Sequence, residues 1–393
     1  MLDYLPFLIL LMIIAAVLQQ DAVLTVFYLI IGVYLVGLFW SRRALNNVNV
    51  TRDFPQRIFL NQPVNINLEL SNRGWLPVVW LQIHESLPIE LISPNFYHQV
   101  INLGSHDQTR LVFSFRGNKR GYYPIGPTSL NSGDIFGLTK NDQRDLEPDH
   151  LTVYPKIIPF KYLGIPSRSP FGTLRHSNPV YEDPSRVWGK RDYQMGDSLR
   201  RVDWKATANS GHLMVKQFEA SISLEMQILL NLNVEEYDIH TRFDNTELAI
   251  VVAASIASWA NQKKQSTGFA TNGMDPITEG TSPQSFLPHK GVLHLMSILD
   301  ILARIQTANG TPFTQLIRKT TSALPWGTTL VLITGQMTEE LFDELFQTQR
   351  MGLNGIIILV GRVPGWQEAQ QRARHFGFPL YNVKDESDIE AWQ

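Results

Sequence analysis

The first 41 residues carry only two charged side chains, Asp3 and Asp21, and this restricts the fold more than any other feature of the sequence. Two apolar runs fill the segment, Leu5–Leu18 and Ala22–Trp40. A helix formed by the second run is about 28 Å long at 1.5 Å per residue, close to the roughly 30 Å hydrocarbon core of a bilayer. The first run reaches only about 21 Å. We therefore predict a transmembrane hairpin over residues 1–41.

Two alternatives to the hairpin are a cleaved signal peptide and a pair of buried core helices. The signal peptide is disfavoured because no Lys or Arg precedes the first run. The core helices are disfavoured by the length of the uncharged second run. Four basic residues follow that run, Arg42, Arg43, Arg52 and Arg57, and none precedes it. The positive-inside rule then predicts that the soluble domains face the cytoplasm.

Composition excludes several classes of function. The chain of 393 residues has 34 Lys and Arg against 36 Asp and Glu, a formal net charge of −2. A general nucleic-acid binder would show a basic domain or face, so we expect no nucleic-acid partner. The chain has no cysteine, which excludes disulfides, thiolate zinc sites and thiol nucleophiles. Its length predicts more than one domain.

Residues 48–155 have the pattern of an all-β domain. Val64, Ile66, Leu68 and Leu70 alternate with polar residues, the period of two that marks a half-buried strand. Further short strands are predicted at Val79–Ile83 and Leu111–Phe115, with turn residues between them. Several short strands in about 105 residues favour an immunoglobulin-like antiparallel sandwich. Nothing in this segment has the pattern of a catalytic site. We therefore expect it to act as a spacer between domains or to recruit a partner.

Residues 156–181 are rich in proline and glycine, which predicts an extended linker. Apolar runs and helical patterns then alternate through residues 220–393, which indicates an α/β Rossmann-like domain with a doubly wound parallel sheet. The predicted strands are Met226–Leu232, Ser266–Thr271, Thr329–Ile333 and Gly355–Val360. The predicted helices are Thr246–Gln262, Leu293–Ile305, Pro312–Ala323, Thr338–Met351 and Gln367–Phe376.

Residues 182–219 concentrate charge, with 13 charged side chains among 38 residues. We predict that Asp197 caps a short helix extending through Trp204, because a carboxylate accepts the free N–H groups of a first turn. On that helix Arg200 is spaced for an ion pair with Asp203 and for a cation–π contact with Trp204. The residues from Leu213 to Glu219 are predicted to return as a strand.

This charged segment resembles a known family. The stretch from Gly189 to Ala208 followed by Leu213–Glu219 is similar to the signature of the bacterial family called domain of unknown function 58. Upstream, the segments 120–127 and 134–138 are also similar to that family. The resemblance implies a membrane hairpin, a C-terminal half like a von Willebrand factor A domain, and association with MoxR-type AAA+ ATPases and other von Willebrand factor A-like proteins. It implies no established biochemical activity.

Factor A domains chelate a divalent ion through an Asp-x-Ser-x-Ser loop and a later Asp, so the resemblance raises a question of metal binding. Here the corresponding positions are Asn231, Asn233, Glu235 and Thr334. A hard cation prefers ionised carboxylates, and only Glu235 supplies one. We therefore predict that no metal binds at these degenerate positions. No nucleotide-fold or zinc motif occurs either, and we expect no cofactor.

Three interpretations of the charged segment are open: a structural ion-pair network, a partner-docking surface, and a catalytic site. The first two are favoured because seven bases and six acids nearly balance. The predicted function is a membrane-anchored adaptor or assembly protein that works with an AAA+ ATPase. The alternative is a hydrolase using Asp197, Asp203 and His212 for acid–base chemistry. The candidate network residues are Arg191, Tyr193, Gly196, Asp197, Arg200, Arg201, Asp203, Trp204, Lys205, Lys216 and Glu219.

Overall fold

The structure is a computed structural model that describes ten stretches of the chain. These are residues 9–10, 12–13, 21–92, 96–133, 142–160, 187–194, 197–218, 225–278, 284–363 and 365–391. The chain divides into two compact units, one formed by residues 1–156 with 299–304 and the other by 157–298 with 305–393. Each unit has a buried apolar core of its own.

The N-terminal unit begins with helix α1, Asp21–Asn46. Among the described residues it is the one helix long and apolar enough to cross a membrane, over Leu24–Asn46. Those 23 residues span about 34 Å. The end of α1 contacts the rest of the unit, since Ala44 and Leu45 are buried in its core. Most of the first apolar run lies outside the described residues, so the hairpin stays a prediction.

The remainder of this unit is all β, as the alternating pattern predicts. Its strands are β1 (Val48–Asp53), β2 (Arg57–Phe59), β3 (Pro63–Asn72), β4 (Val78–Ser86), β5 (Leu91–Ile92), β6 (Phe96–Leu103), β7 (Gln108–Gly117), β8 (Gly121–Ile125), β9 (Thr128–Ser132), β10 (Asp142–Leu146) and β11 (Asp149–Tyr154). Two four-stranded antiparallel sheets have the orders β1-β3-β7-β5 and β10-β9-β4-β6. A third sheet has the order β2-β11-β8.

Side chains from both four-stranded sheets meet in one core. Ile66 and Leu68 of β3 are buried there together with Ile83 of β4 and Leu130 of β9. The alternation along β3 explains this, because successive side chains of a strand point to opposite faces. The two sheets therefore form a sandwich around this core.

An ionic group lies inside this sandwich. Arg52 of β1 forms ion pairs with Glu85 of β4 (Nη2 to Oε1, 2.9 Å) and with Asp149 of β11 (Nη1 to Oδ2, 2.6 Å). The hydroxyl of Thr128 on β9 donates to Glu85 and accepts from Arg52. Glu85 is completely buried, and burial raises the pKa of its carboxyl group above the usual value. The group links strands from all three sheets.

The second unit opens with residues that the sequence pattern predicts to be linker. In the described part, Ile158 and Phe160 are buried, and the backbone N–H of Ile158 donates to Ser255 Oγ at 3.0 Å. Residues 161–186 lie outside the described residues. A two-stranded antiparallel ribbon follows, made of β12 (Val187–Asp192) and β13 (Met214–Phe218), with helix α2 (Trp204–Ser210) between the strands.

The rest of this unit alternates strands and helices around one six-stranded sheet. The strands are β14 (Met226–Leu230), β15 (Thr267–Thr271), β16 (Gln284–His289), β17 (Thr329–Thr334), β18 (Asn354–Val360) and β19 (Leu380–Val383). The helices are α3 (Arg242–Gln262), α4 (Val292–Arg304), α5 (Phe313–Thr321), α6 (Glu339–Arg350), α7 (Trp366–His375) and α8 (Glu386–Glu390). The last six residues of α4, 299–304, belong to the N-terminal unit. The sheet order is β16-β15-β14-β17-β18-β19.

The central strands of the sheet are uninterrupted apolar runs, and their side chains are buried. Such strands need cover on both faces, and helices provide it. On one face Leu229, Leu332 and Ile357 pack against side chains of α5 and α6, including Phe313 and Leu345. Helix α3 contacts β14, β15, β17 and β18.

The prediction of an entirely parallel sheet needs a correction. Strand β16 pairs antiparallel with β15, and Phe286 lies opposite Phe269. The sequence between these strands contains Pro276 and Pro283, which disfavour the crossover helix that a parallel connection would use. The other strands pair in parallel.

Candidate functional site

The family-like charged segment folds as the ribbon of β12 and β13 with α2 at its end. Lys190 lies opposite Lys216, and Arg191 lies opposite Val215. Beyond the paired strands, the N–H of Tyr193 donates to Leu213 O at 2.8 Å. The predicted strand Leu213–Glu219 is confirmed for Met214–Phe218; Leu213 precedes the strand, and Glu219 lies outside the described residues.

Arg191 and Asp197 form a two-pronged ion pair at one end of the ribbon. The Nη1 and Nη2 atoms of Arg191 lie 2.6 and 2.7 Å from the two carboxylate oxygens of Asp197. The backbone N–H of Gln194 also donates to Asp197, at 2.9 Å. These contacts stabilise the ionised form, so the Arg191 guanidinium lowers the pKa of Asp197 to about 2, helped by Gln194. Gly196 lies outside the described residues.

The prediction that Asp197 caps a helix through Trp204 is wrong. Helix α2 begins at Trp204, and its cap is Asp203, whose Oδ1 accepts from Ala206 N at 3.1 Å. The helix cannot begin earlier because Val202 is extended and bridges Val215 of β13. The N–H of Asp203 likewise donates to Met214 O at 2.8 Å.

Asp203 has a second partner that the sequence argument did not name. Lys190 Nζ lies 2.8 Å from its Oδ2, which ties β12 to the start of α2. The hydrogen bond from Lys190 and the one from Ala206 N lower the pKa of Asp203 below its usual value. The side chain of Arg200 lies outside the described residues, so its predicted contacts with Asp203 and Trp204 stay predictions.

Apolar side chains of the segment face solvent, while two of its acids, Asp197 and Asp203, are held in ion pairs. Trp204 is 69% exposed and Leu199 is 64% exposed. Leu213 is exposed as well. Arg201 and Lys205, which lie in sequence between or beside these residues, also have exposed side chains. The ion pairs therefore fix the backbone, and the segment displays an apolar and basic surface.

The geometry does not assemble the acid–base set that a hydrolase would need. In the part of the chain that the structure describes, no hydrogen bond joins His212 to Asp197 or Asp203. Each of the two carboxylates is instead paired with a basic side chain, Arg191 or Lys190. A carboxylate whose pKa is lowered is a weaker base, so Asp197 and Asp203 are poorly suited to accept a substrate proton.

A second cluster of polar side chains lies at the carboxyl ends of β14, β15 and β17. Asn231 is completely buried, and its Nδ2 donates to Thr334 Oγ1 at 2.9 Å and to Glu236 Oε2 at 2.8 Å. Asn233 Nδ2 donates to the other carboxylate oxygen of Glu236 at 3.1 Å. Three of the four predicted positions, Asn231, Asn233 and Thr334, thus come together.

Glu235 does not join this cluster through its side chain. Its side chain is exposed, and its backbone N–H donates to Asn233 Oδ1 at 3.2 Å. The carboxylate that enters the cluster belongs to Glu236, which the sequence argument missed. The sequence signal for Glu236 was its position directly after Glu235. The 3-10 turn Val234–Glu236 decides which of these two carboxylates points into the cluster.

Asn272, Tyr237 and Gly335 complete the cluster, and of these Asn272 and Tyr237 were not predicted as site residues. Asn272 Nδ2 donates to Asn231 Oδ1 at 3.0 Å. The hydroxyl of Tyr237 donates to Asn231 O at 2.7 Å, and burial raises the pKa of that hydroxyl. A Cβ atom on Gly335 would lie 2.3 Å from the ring of Tyr237, so only glycine fits there.

The donor set of this cluster does not suit a divalent cation. Asn231 Oδ1, the oxygen that could bind a metal, already accepts hydrogen bonds from Asn233 N and Asn272 Nδ2. Its amide nitrogen faces Glu236. Within the described residues, no group of three or more His, Cys, Asp or Glu side chains is arranged to hold a metal ion.

The ion pair of Asp197 predicts a pH dependence. Because its pKa in the folded chain, about 2, is below the ordinary value of 3.8, the pair stabilises the ribbon fully above about pH 4. That contribution is lost as the pH falls through about 2. We expect a ¹³C NMR titration of the Asp197 carboxyl to have its midpoint near 2. In the Arg191→Gln variant the midpoint should move up toward 3.8, and an unchanged midpoint would contradict the assignment.

Comparison with known proteins shows which family part of this chain is similar to. Residues 189–356 match the family described as protein of unknown function DUF58. An uncharacterized protein YeaD of Bacillus subtilis (strain 168) is 25% identical over 297 residues, covering 71% of this chain and 67% of that protein.

Likenesses to solved structures cover smaller parts of the chain. An aerotolerance-related membrane protein from Bacteroides fragilis is similar over 43% of this chain and 94% of its own, with 13% identity and a TM-score of 0.31. The CARDB domain of a Pyrococcus furiosus protein is similar over 27% of this chain and 91% of its own, with 15% identity and a TM-score of 0.22. Residues 189–356, which include most of the ribbon segment and the strand-end cluster, are thus the part of this chain that is similar to the DUF58 family.

Proposed function

We propose that this protein is a membrane-anchored, non-enzymatic adaptor that docks onto a MoxR-type AAA+ ATPase through the segment 187–218. The observation that carries the proposal is the exposure of Trp204 on a segment in which Asp197 and Asp203 are held in ion pairs. Tryptophan and arginine are the residues most often found at the energetic centre of protein interfaces. A surface of this kind suits binding, and the paired carboxylates do not suit acid–base chemistry.

The charge of the segment specifies the chemistry of the partner surface. Residues 187–218 contain six bases and three acids, so 6 − 3 gives a net charge of +3. Two of those acids, Asp197 and Asp203, are neutralised by Arg191 and Lys190. The exposed apolar side chains are therefore accompanied by net positive charge. The complementary surface on the ATPase is acidic with an apolar centre, which favours rapid and specific encounter.

The anchor is helix α1, with the soluble units on the cytoplasmic side. Its length and apolar composition support a membrane span, and Arg42 and Arg43 lie at its end. The absence of basic residues before the helix supports this orientation by the positive-inside rule. We also propose that the all-β unit is immunoglobulin-like and that the α/β unit is related to von Willebrand factor A domains, whose members are further candidate partners.

Replacing Trp204 with alanine tests the docking surface. We expect the affinity for the ATPase to fall about 30-fold or more, since a central interface residue contributes about 2 kcal/mol or more. Alanine at the first position of α2 preserves the helix. Affinity is measured by co-purification from native membranes followed by titration of the purified full-length protein with the ATPase.

Trp75→Ala is the matched control, because Trp75 is also 69% exposed but lies in the N-terminal unit. We expect its affinity to equal that of the wild type. The proposal fails if no AAA+ ATPase accompanies the protein in native membranes, or if Trp204→Ala binds as tightly as Trp75→Ala. A hydrolytic activity of the purified protein that is lost in Asp197→Asn would favour the enzyme instead.

A further inference from the structure

Three N–H groups converge on the carboxylate of Glu236 at the carboxyl edge of the six-stranded sheet. Asn231 Nδ2 donates to Oε2 at 2.8 Å. Asn233 Nδ2 and the backbone N–H of Phe313 both donate to Oε1, at 3.1 and 3.0 Å. The donors come from two separated segments, the loop after β14 and the first residue of α5. A carboxylate that accepts several N–H bonds is the pattern of an anion site.

Two of the three donors are buried and cannot turn away. Asn231 is 0% exposed and Asn233 is 4% exposed. Asn231 Oδ1 accepts from Asn233 N and Asn272 Nδ2, and Asn233 Oδ1 accepts from Glu235 N. Because the amide oxygens are used in these bonds, the amide nitrogens must face the carboxylate. The two amide groups are therefore held in this orientation by contacts other than those with Glu236.

The neighbouring loops are held to the same site. Asn272, after β15, accepts from Leu232 N at 2.7 Å through Oδ1 and donates to Thr311 O at 2.9 Å through Nδ2. Gln336, after β17, donates to Glu235 O at 3.2 Å. The segments 231–236, 272 and 311–313 thus share one hydrogen-bonded network, with the Glu236 carboxylate bridging its two ends.

We propose that this edge is a metal-independent carboxylate-binding site and that Glu236 is its tethered occupant. Inward-facing N–H groups attract a carboxylate and repel a cation, so the site does the opposite of what an Asp-x-Ser-x-Ser loop does. Glu236 bridges the loop after β14 to the start of α5, as a shared metal ion would. The site is distinct from the ribbon, so the proposal stands or falls separately from the docking of an ATPase.

The test is the removal of the occupant and its replacement by a free carboxylate. In the Glu236→Ala variant of the full-length protein, solubilised in detergent, we expect amide hydrogen exchange in residues 231–241 and 311–316 to be about tenfold faster. Sodium acetate should restore slow exchange in a saturable way, and sodium chloride at the same ionic strength should not. No restoration by acetate would overturn the proposal.

Two variants serve as controls. Glu235→Ala removes the adjacent, exposed carboxylate and should exchange like the wild type with or without acetate. Glu236→Gln places an amide nitrogen among the donors, so exchange should be faster than in the wild type, and acetate should not help because the space is filled. This variant keeps the test informative if Glu236→Ala does not fold. Slower exchange of the wild type in Mg²⁺ would contradict a metal-independent site.

Discussion

Replacement of Glu85 by alanine is expected to lower the free energy of unfolding of the N-terminal unit by about 3–5 kcal/mol. The reason is that Glu85 neutralises a buried guanidinium: the side chain of Arg52 is 6% exposed and lies 2.9 Å from Glu85 Oε1. Without Glu85, the acidic partner that Arg52 keeps among the described residues is Asp149, whose side chain is partly in solvent. The measurement is the denaturant dependence of amide exchange in peptides from β3 and β4.

Glu69→Ala is the matched control for this prediction. Glu69 lies on an outward position of β3, so its removal should change the stability by less than about 0.5 kcal/mol. The double replacement Arg52→Met with Glu85→Leu should recover much of the loss, because an apolar pair needs no charge compensation. An equal effect of Glu85→Ala and Glu69→Ala would show that the buried ion pair does not contribute.

Replacement of Phe313 by alanine is expected to destabilise the C-terminal unit by about 3–5 kcal/mol. Phe313 is 2% exposed and packs with Leu316, Leu332 and Leu345 in the core on one face of the sheet. Alanine would leave a cavity at the start of α5, which also supplies one N–H to Glu236. We therefore expect faster exchange both in α5 and in the loop after β14. Exchange of the purified protein at increasing denaturant concentration measures both effects.

Phe346→Ala is the corresponding control on the neighbouring helix α6. Phe346 is about half exposed, so its replacement leaves no closed cavity and should cost much less than that of Phe313. Phe313→Leu should lie between the two, since leucine fills part of the space. If the loop after β14 keeps the wild-type exchange rate in Phe313→Ala, the link between the core and the strand-end cluster is absent.

Much of the fold could be predicted because it depends on patterns local to one element. The alternation at Val64 to Leu70 gives β3, and the apolar run from Met226 gives β14. Strand β16 was missed because its six residues include Pro288 and lack a continuous apolar run. Strand β19 was also missed, because its four residues at the sheet edge are too few to form a recognisable pattern. Short edge strands depend on partners distant in the sequence, which local patterns do not contain.

The candidate site was predicted as a set of residues, but its contacts were not. Asp197 and Asp203 were both identified, but the capping role was assigned to Asp197 instead of Asp203, because the pairing of Val202 with Val215 decides where α2 begins. Likewise Glu235 was chosen over Glu236, and a single turn of backbone separates the two outcomes. Helix caps and amide hydrogen-bond networks depend on the geometry of the backbone. Composition and spacing can therefore identify the residues of a site but not which of them form hydrogen bonds with each other.

The ribbon of β12 and β13 has a thermodynamic consequence for any partner that it binds. A two-stranded sheet is only marginally stable without further support, and here the pairs Arg191–Asp197 and Lys190–Asp203 supply it. The fraction of molecules with an ordered ribbon then multiplies the intrinsic affinity for the partner. Substitutions that weaken these ion pairs therefore lower the affinity for the partner by degrees, although neither pair needs to contact the bound protein.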